Sequence, residues 1–189
     1  MPAARPKARR AVLRLLPKGG VGAEVGVFRG HFARRILDVA RPARLYLIDP
    51  WENLSDPGLA GARYAEGAGT DMPALHEEVL ARFAPEVALG RVAVLRQRSA
   101  EALAGLPDGH LDFVYLDGDH RFEAVSQDLA LAFAKLKPSG LLALDDHAPG
   151  GWWGEGVVRA VARFRAERGA ALGLRLAQAD QIVLEKQGS

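Results

Sequence analysis

The chain has 189 residues, the length of a single domain. Its composition, 49% hydrophobic and 25% charged, supplies a sizeable core and excludes a disordered chain. With no cysteine it has no disulfide, thiol nucleophile or cysteine-based metal cluster, and 25 basic against 23 acidic residues give no ground for a nucleic-acid partner.

No apolar run approaches the ~18 residues of a membrane span. Residues 1–10 carry Arg5, Lys7, Arg9 and Arg10. The apolar stretch behind them, 11–16, is short and broken by Arg14, so it does not make a secretory leader. Residues 1–20 therefore read as a basic tail and a short amphipathic helix, ahead of a single domain over 21–189. The chain reads as cytoplasmic, without a membrane partner; a homo-oligomer is compatible with it.

Residues 21–27 (VGAEVGV) form an apolar strand that opens into Gly26 and Gly30. Helical spacing covers 31–40, with Phe32, Ile36, Leu37 and Val39 set against Arg34, Arg35 and Asp38. A second strand, 45–48, ends at Asp49-Pro50, and 51–70, rich in Gly, Ala, Asp and Pro, reads as a long loop. A helix over 72–83, a strand over 92–95 and a short helix over 99–104 follow, with Ser99 as N-cap. The fourth strand, 111–116, ends at Asp117. An amphipathic helix over 122–136 closes at Pro138 and Gly140, and a fifth strand, 141–144, ends in Asp145-Asp146-His147. A helix over 156–168 precedes a terminal strand pair, 172–177 and 181–184.

Strands alternating with helices predict an α/β fold with a doubly wound, mostly parallel seven-stranded sheet, the last hairpin being antiparallel. The strands are continuous apolar runs, as both-face burial requires. Ligands of such sheets bind beyond the carboxyl ends of the strands. Four of these ends carry chemistry: Glu24-x-Gly26-x-x-x-Gly30, Asp49, Asp117-Gly118-Asp119-His120 and Asp145-Asp146-His147.

A dinucleotide loop would read G-x-G-x-x-G, but here the middle glycine is replaced and bulky Phe28 and Arg29 intervene, which disfavours NAD. Glu24 suits a cationic ligand group and Asp49 suits ribose hydroxyls. S-adenosylmethionine has both a ribose and positive charge without a pyrophosphate. The bland alternative is a tight turn with unrelated carboxylates. Asp117, Asp119, Asp145 and Asp146 crowd two strand ends, and a hard divalent cation would relieve their repulsion. The alternative there is that Asp117 and Asp145 cap helices.

The segments Glu24 to Gly30, Leu47-Ile48-Asp49-Pro50-Trp51, Val114 to His120 and Leu144 to His147 resemble class I S-adenosylmethionine-dependent methyltransferases of Rossmann-like fold. They are most similar to the metal-dependent, macrocin O-methyltransferase-like group that methylates sugar hydroxyls. The resemblance implies that Glu24, Gly26, Phe28, Gly30 and Asp117 contact the cofactor, that Asp49 holds its ribose, that Trp51 shapes the pocket and that Ser99 meets adenine. It further implies a Mg²⁺ (or Mn²⁺ or Ca²⁺) site of Asp117, Asp145 and Asp146, and Asp119 as general base, with His120 and His147 as alternatives. The acceptor would be a small-molecule hydroxyl. A metal-dependent hydrolase built on the Asp/His cluster and a non-catalytic S-adenosylmethionine-binding module are the competing readings. The 51–70 loop either orders over the site or stays a surface loop, and Trp152 and Trp153 either stack on a substrate ring or pack under the last helix.

Overall fold

The computed structural model describes residues 4–188. Apolar strands need cover on both faces, and alternation along the strands divides the core in two. Phe113 and Tyr115 face one layer, Val114 and Leu116 the other. The strands are β1 (Val21–Val25), β2 (Arg44–Asp49), β3 (Val92–Arg96), β4 (Leu111–Leu116), β5 (Leu136–Leu144), β6 (Leu172–Gln178) and β7 (Gln181–Lys186). They form one sheet in the order β3-β2-β1-β4-β5-β7-β6. The first five are parallel, and β7 lies antiparallel between β5 and β6.

Helices α1 (Ala4–Leu15), α2 (His31–Val39) and α3 (Met72–Ala88) cover one face, where Val12, Leu13, Phe32, Ile36, Val79 and Phe83 are buried. Helices α4 (Ser99–Ala104), α5 (Phe122–Lys135) and α6 (Gly156–Arg168) cover the other, through Leu103, Val125, Leu129, Val157, Val161 and Phe164. The predicted doubly wound sheet with its terminal hairpin is therefore observed. Among the described residues no helix is long and apolar enough to cross a membrane.

Several boundaries differ from expectation, each for a physical reason. β1 stops at Val25 because Gly26 turns the chain at φ 85°, and a Cβ there would lie 2.1 Å from the Asp117 carbonyl oxygen. α3 runs past Phe83 and through Pro85, and its end is closed by bonds from the Leu89 N–H to the Pro85 carbonyl (3.2 Å) and from the Arg91 N–H to that of Glu86 (2.8 Å). β5 begins at Leu136, directly after α5. Pro138 sits where the β4–β5 register slips, pairing Leu111 with Leu136 but Phe113 with Leu141; a proline is tolerated in such a bulge because no ladder donor is lost.

The largest difference is at the start of the chain. The described residues of the expected basic tail are helical from Ala4 onward, and Ala8, Val12, Leu13 and Leu16 are buried. α1 packs on α2 and β7 as part of the domain.

Candidate active site

The register that pairs Val25 with both Ile48 and Leu116, and Leu144 with Leu116 and Ile182, delivers the residues beyond those positions to one edge. Gly26, Asp49, Asp117 and Asp145 arrive from the ends of parallel strands. Gln181 arrives from the beginning of β7, because that strand runs the other way.

On the β1–β2 side, Glu24 is only 1% exposed and its Oε2 has no hydrogen-bond partner. Burial, with Asp117 and Asp49 nearby, raises its carboxyl well above the ordinary range, and Arg9 only partly offsets this. Asp49 is a clamp: its Oδ2 accepts the Phe28 N–H (3.0 Å), its Oδ1 accepts the Trp51 N–H (2.8 Å), and the Trp51 indole N–H donates back to the Phe28 carbonyl (2.9 Å). Burial raises the Asp49 carboxyl against those backbone bonds. A carboxylate offers about four acceptor positions, so two backbone bonds leave capacity for a diol. The clamp holds Phe28 and Trp51 in left-handed backbone conformations, φ 52° and 45°. Trp51 is fully buried against His76.

Two expected cofactor contacts have other work. Gly30 caps α2 at φ 71°, and a Cβ there would strike the Phe83 ring at 2.6 Å. The close approach of Gly26 to Asp117 is likewise internal packing, which leaves the turn tight. On α5, burial pushes the Asp128 carboxyl up to about 6, with Ser99 acting against the rise.

The carboxylate cluster forms where it was expected, but its charge is met from within the chain. Arg5 and Arg9 stand one turn apart on α1. Arg9 Nη2 pairs with Asp117 Oδ2 (2.9 Å) and with Asp145 Oδ2. Arg5 pairs with Asp145 Oδ2 (3.0 Å), Asp146 Oδ1 (3.0 Å) and Asp180 Oδ2 (3.1 Å). The second oxygen of Asp145 accepts the Asp146 N–H (2.8 Å) and the Gln181 amide, whose carbonyl accepts the Tyr115 hydroxyl (3.1 Å). Burial would raise the Asp145 carboxyl, but Arg9 and Arg5 hold it below its ordinary value. Oxygen donors of this kind suit Mg²⁺ in type. The expected triad of Asp117, Asp145 and Asp146 nevertheless does not fit a resident divalent ion with α1 in place, because Arg5 and Arg9 hold Asp145 Oδ2, Asp117 Oδ2 and Asp146 Oδ1; Asp117 and Asp146 keep one oxygen each beside His120, a group whose ligand atoms lie within 4.8 Å of one another.

Asp119, expected as general base, has both oxygens in the grip of Arg121. Oδ1 accepts the Arg121 N–H (2.9 Å) and Oδ2 accepts Nη2 (2.6 Å). Arg121 in turn holds Asp56 (2.6 Å). A substrate proton would have to compete with Arg121 for either oxygen. His120 is the better-placed group. Its Nε2 lies 3.6 Å from Asp117 Oδ1 and 3.4 Å from Asp146 Oδ2, without a formed hydrogen bond. Burial works to lower its pKa, but the bond-forming approach to Asp117 and the charges of Asp117, Asp146 and Asp145 prevail and raise it. The His147 backbone N–H donates to the Asp180 carbonyl (2.8 Å), and burial and Arg165 lower the pKa of its side chain.

Trp153 lies against the His120 ring (centroids 4.9 Å apart) and edge-on to Trp152 (5.9 Å), which meets Tyr64 (6.1 Å). The tryptophans thus wall the site beside His120. The 51–70 segment is docked over them, through Tyr64, through Gly61 against Trp152, and through the Asp56–Arg121–Asp119 chain. Asn53 ties its ends by donating to the Thr70 carbonyl (2.8 Å) and accepting the Met72 N–H (3.3 Å).

Sequence reasoning missed Arg5, Arg9, Arg121, Asp180 and Gln181. For the first two a signal existed, since arginines at i and i+4 share one helical face.

A doubly wound sheet with a carboxylate-lined, glycine-turned edge is the architecture of nucleoside-cofactor enzymes. The chain belongs to the family described as a methyltransferase domain, whose profile matches residues 23–147. With its fold, that makes it a class I, S-adenosylmethionine-dependent methyltransferase. Similar solved structures include a Streptococcus mutans protein in complex with S-adenosylhomocysteine (10% identity, 97% of each chain covered, TM-score 0.65). They also include precorrin-6y C5,15-methyltransferase from Geobacter metallireducens (13% identity, 96% of this chain and 88% of that one, TM-score 0.64). A third is an S-adenosylmethionine-dependent O-methyltransferase from Thermotoga maritima (13% identity, 97% and 66%, TM-score 0.63). At these identities the likeness is one of fold. No curated protein matches the sequence.

Proposed function

We propose that this methyltransferase methylates a hydroxyl of a small, ring-bearing molecule, with His120 as the general base. The observation that carries this reading is where the unpartnered polar atoms lie. Among the described residues, seven buried side-chain polar atoms have no hydrogen-bond partner, and five of them gather at the carboxyl edge: those of Arg9, Glu24, Tyr64, His120 and Trp153. Buried polar groups left open are costly unless a ligand completes them.

S-adenosylmethionine supplies a methyl group activated on a sulfonium. Glu24 would hold its ammonium and Asp49 its ribose hydroxyls. Trp152 and Trp153 would orient the acceptor ring, and the docked 51–70 segment would exclude water. His120 Nε2 takes the hydroxyl proton as the oxygen attacks, and Asp117 and Asp146 stabilise the imidazolium that forms. Nucleic acid and membrane have no place in this reading. Divalent-metal assistance, which the family resemblance implies, enters no step here, because Arg5 and Arg9 fill the cation's place.

The test is a panel of phenols, sugars and amines, with S-adenosylhomocysteine release as readout. A hydroxyl acceptor should emerge, and His120→Gln should bind S-adenosylhomocysteine normally yet lose roughly 10²–10⁴-fold in rate. Turnover confined to amines, or a His120→Gln rate within a few-fold of the parent, overturns the proposal.

A further inference from the structure

We infer that Arg5 and Arg9 are built-in cations that take the place of a divalent metal at Asp145 and the oxygens of Asp117 and Asp146 that face it. Four carboxylates converge here, from the ends of β4 and β5 and the turn before β7. Uncompensated, they could not stay ionised together. Two guanidinium groups answer all four: Arg9 bridges Asp117 and Asp145, and Arg5 bridges Asp145, Asp146 and Asp180. The Asp145 side chain is fully buried, so a metal could reach it only by displacing both arginines. That displacement would strand Arg9 between Glu24 and the Phe32 ring, over which it sits at 5.2 Å.

Arginine suits the task. Its charge is permanent, it is weakly hydrated, and its planar fork serves two carboxylates at once. α1 is also anchored where it must be, since Ala8 and Val12 on the same face are fully buried. The positive charge is therefore held by the fold and does not depend on an ion supply.

The inference concerns the edge read above as the methyl-transfer site and rests on that reading for its meaning in turnover. Its test reads metal binding, and so stands apart from the identity of the acceptor. Mn²⁺ is titrated into the full chain and into Arg5→Gln/Arg9→Gln, following free Mn²⁺ by electron paramagnetic resonance, with circular dichroism to confirm folding. The parent should show no saturable binding, and EDTA should leave its Tm unchanged. The double variant should gain one Mn²⁺ site per chain, and adding Asp145→Asn should abolish it. A stoichiometric Mn²⁺ in the parent overturns the inference, as does a folded double variant that binds none. Should the double variant fail to fold, Arg5→Gln alone is decisive, since Arg5 is the more exposed member of the pair (43% against 24%). It should gain a weaker site, and its silence refutes the idea equally.

Discussion

Replacing Glu24 with glutamine separates cofactor binding from stability, because the two should move in opposite directions. Glu24 is buried with one oxygen unpartnered, and burial and Asp117 raise its carboxyl well above its ordinary range. A group whose folded pKa is raised contributes stability below its unfolded pKa and loses it as pH rises through the folded value. Glutamine does not titrate, so Glu24→Gln should match the parent in mild acid and exceed it in mild alkali. Binding should suffer instead. The cofactor's ammonium would draw the carboxyl into its paired, ionised form, and a charge-assisted hydrogen bond of this kind contributes about 1.5–3 kcal/mol. Its loss corresponds to roughly 10- to 100-fold in Kd. The pairing also expels a proton, so parental affinity should rise with pH. Calorimetry with S-adenosylhomocysteine in buffers of differing ionisation heat reads both effects, and thermal melts at two pH values read the third. Equal affinity in parent and variant, or no proton release by the parent, would refute the reasoning.

Asp49→Asn should weaken both properties at once, since the carboxylate clamps the Phe28 and Trp51 amides as well as facing the cofactor; calorimetry should show at least a tenfold loss and urea unfolding a cost of about 1–3 kcal/mol. Asp119→Asn should leave the rate of methyl transfer within a few-fold of the parent, because Arg121 already occupies both oxygens; a loss on the scale expected for His120→Gln would restore Asp119 as the base. Tyr115→Phe removes the hydroxyl that satisfies buried Gln181, and should cost about 1–3 kcal/mol in urea unfolding without touching the cofactor pocket.

What was legible in the sequence follows from how locally it is encoded. A strand such as 111–116 is buried on both faces from Phe113 onward, so its run from there is apolar and it ends visibly at Asp117. The edge carboxylates could be placed because the sheet's connectivity aligns the strand ends. Their partners could not. Arg5 and Arg9 sit in a segment whose composition alone says solvated and basic, and only packing of Ala8 and Val12 turns them inward. Ser99 looked like an N-cap, but the helix begins at Ser99 itself and Arg98 takes that position. The partner of Asp119 stood two residues away, but the turn that lets Arg121 fold back onto it is not written in the residue spacing.

The bonds that assemble the acidic edge join residues 140, 136 and 108 positions apart, and Gln181 reaches Asp145 from the last strand. Loop closure over such distances is entropically demanding, and contacts of this span form late. A nascent chain presents Arg5 and Arg9 first and must wait for the whole sheet before their acids are in place. β7, the last of the seven strands to leave the ribosome, inserts between β5 and β6, so even the order of the strands in space cannot be settled until it arrives. Catalytic competence is then a property that a partly folded chain does not possess. Recovered activity should therefore lag recovered helix content when the denatured protein is refolded.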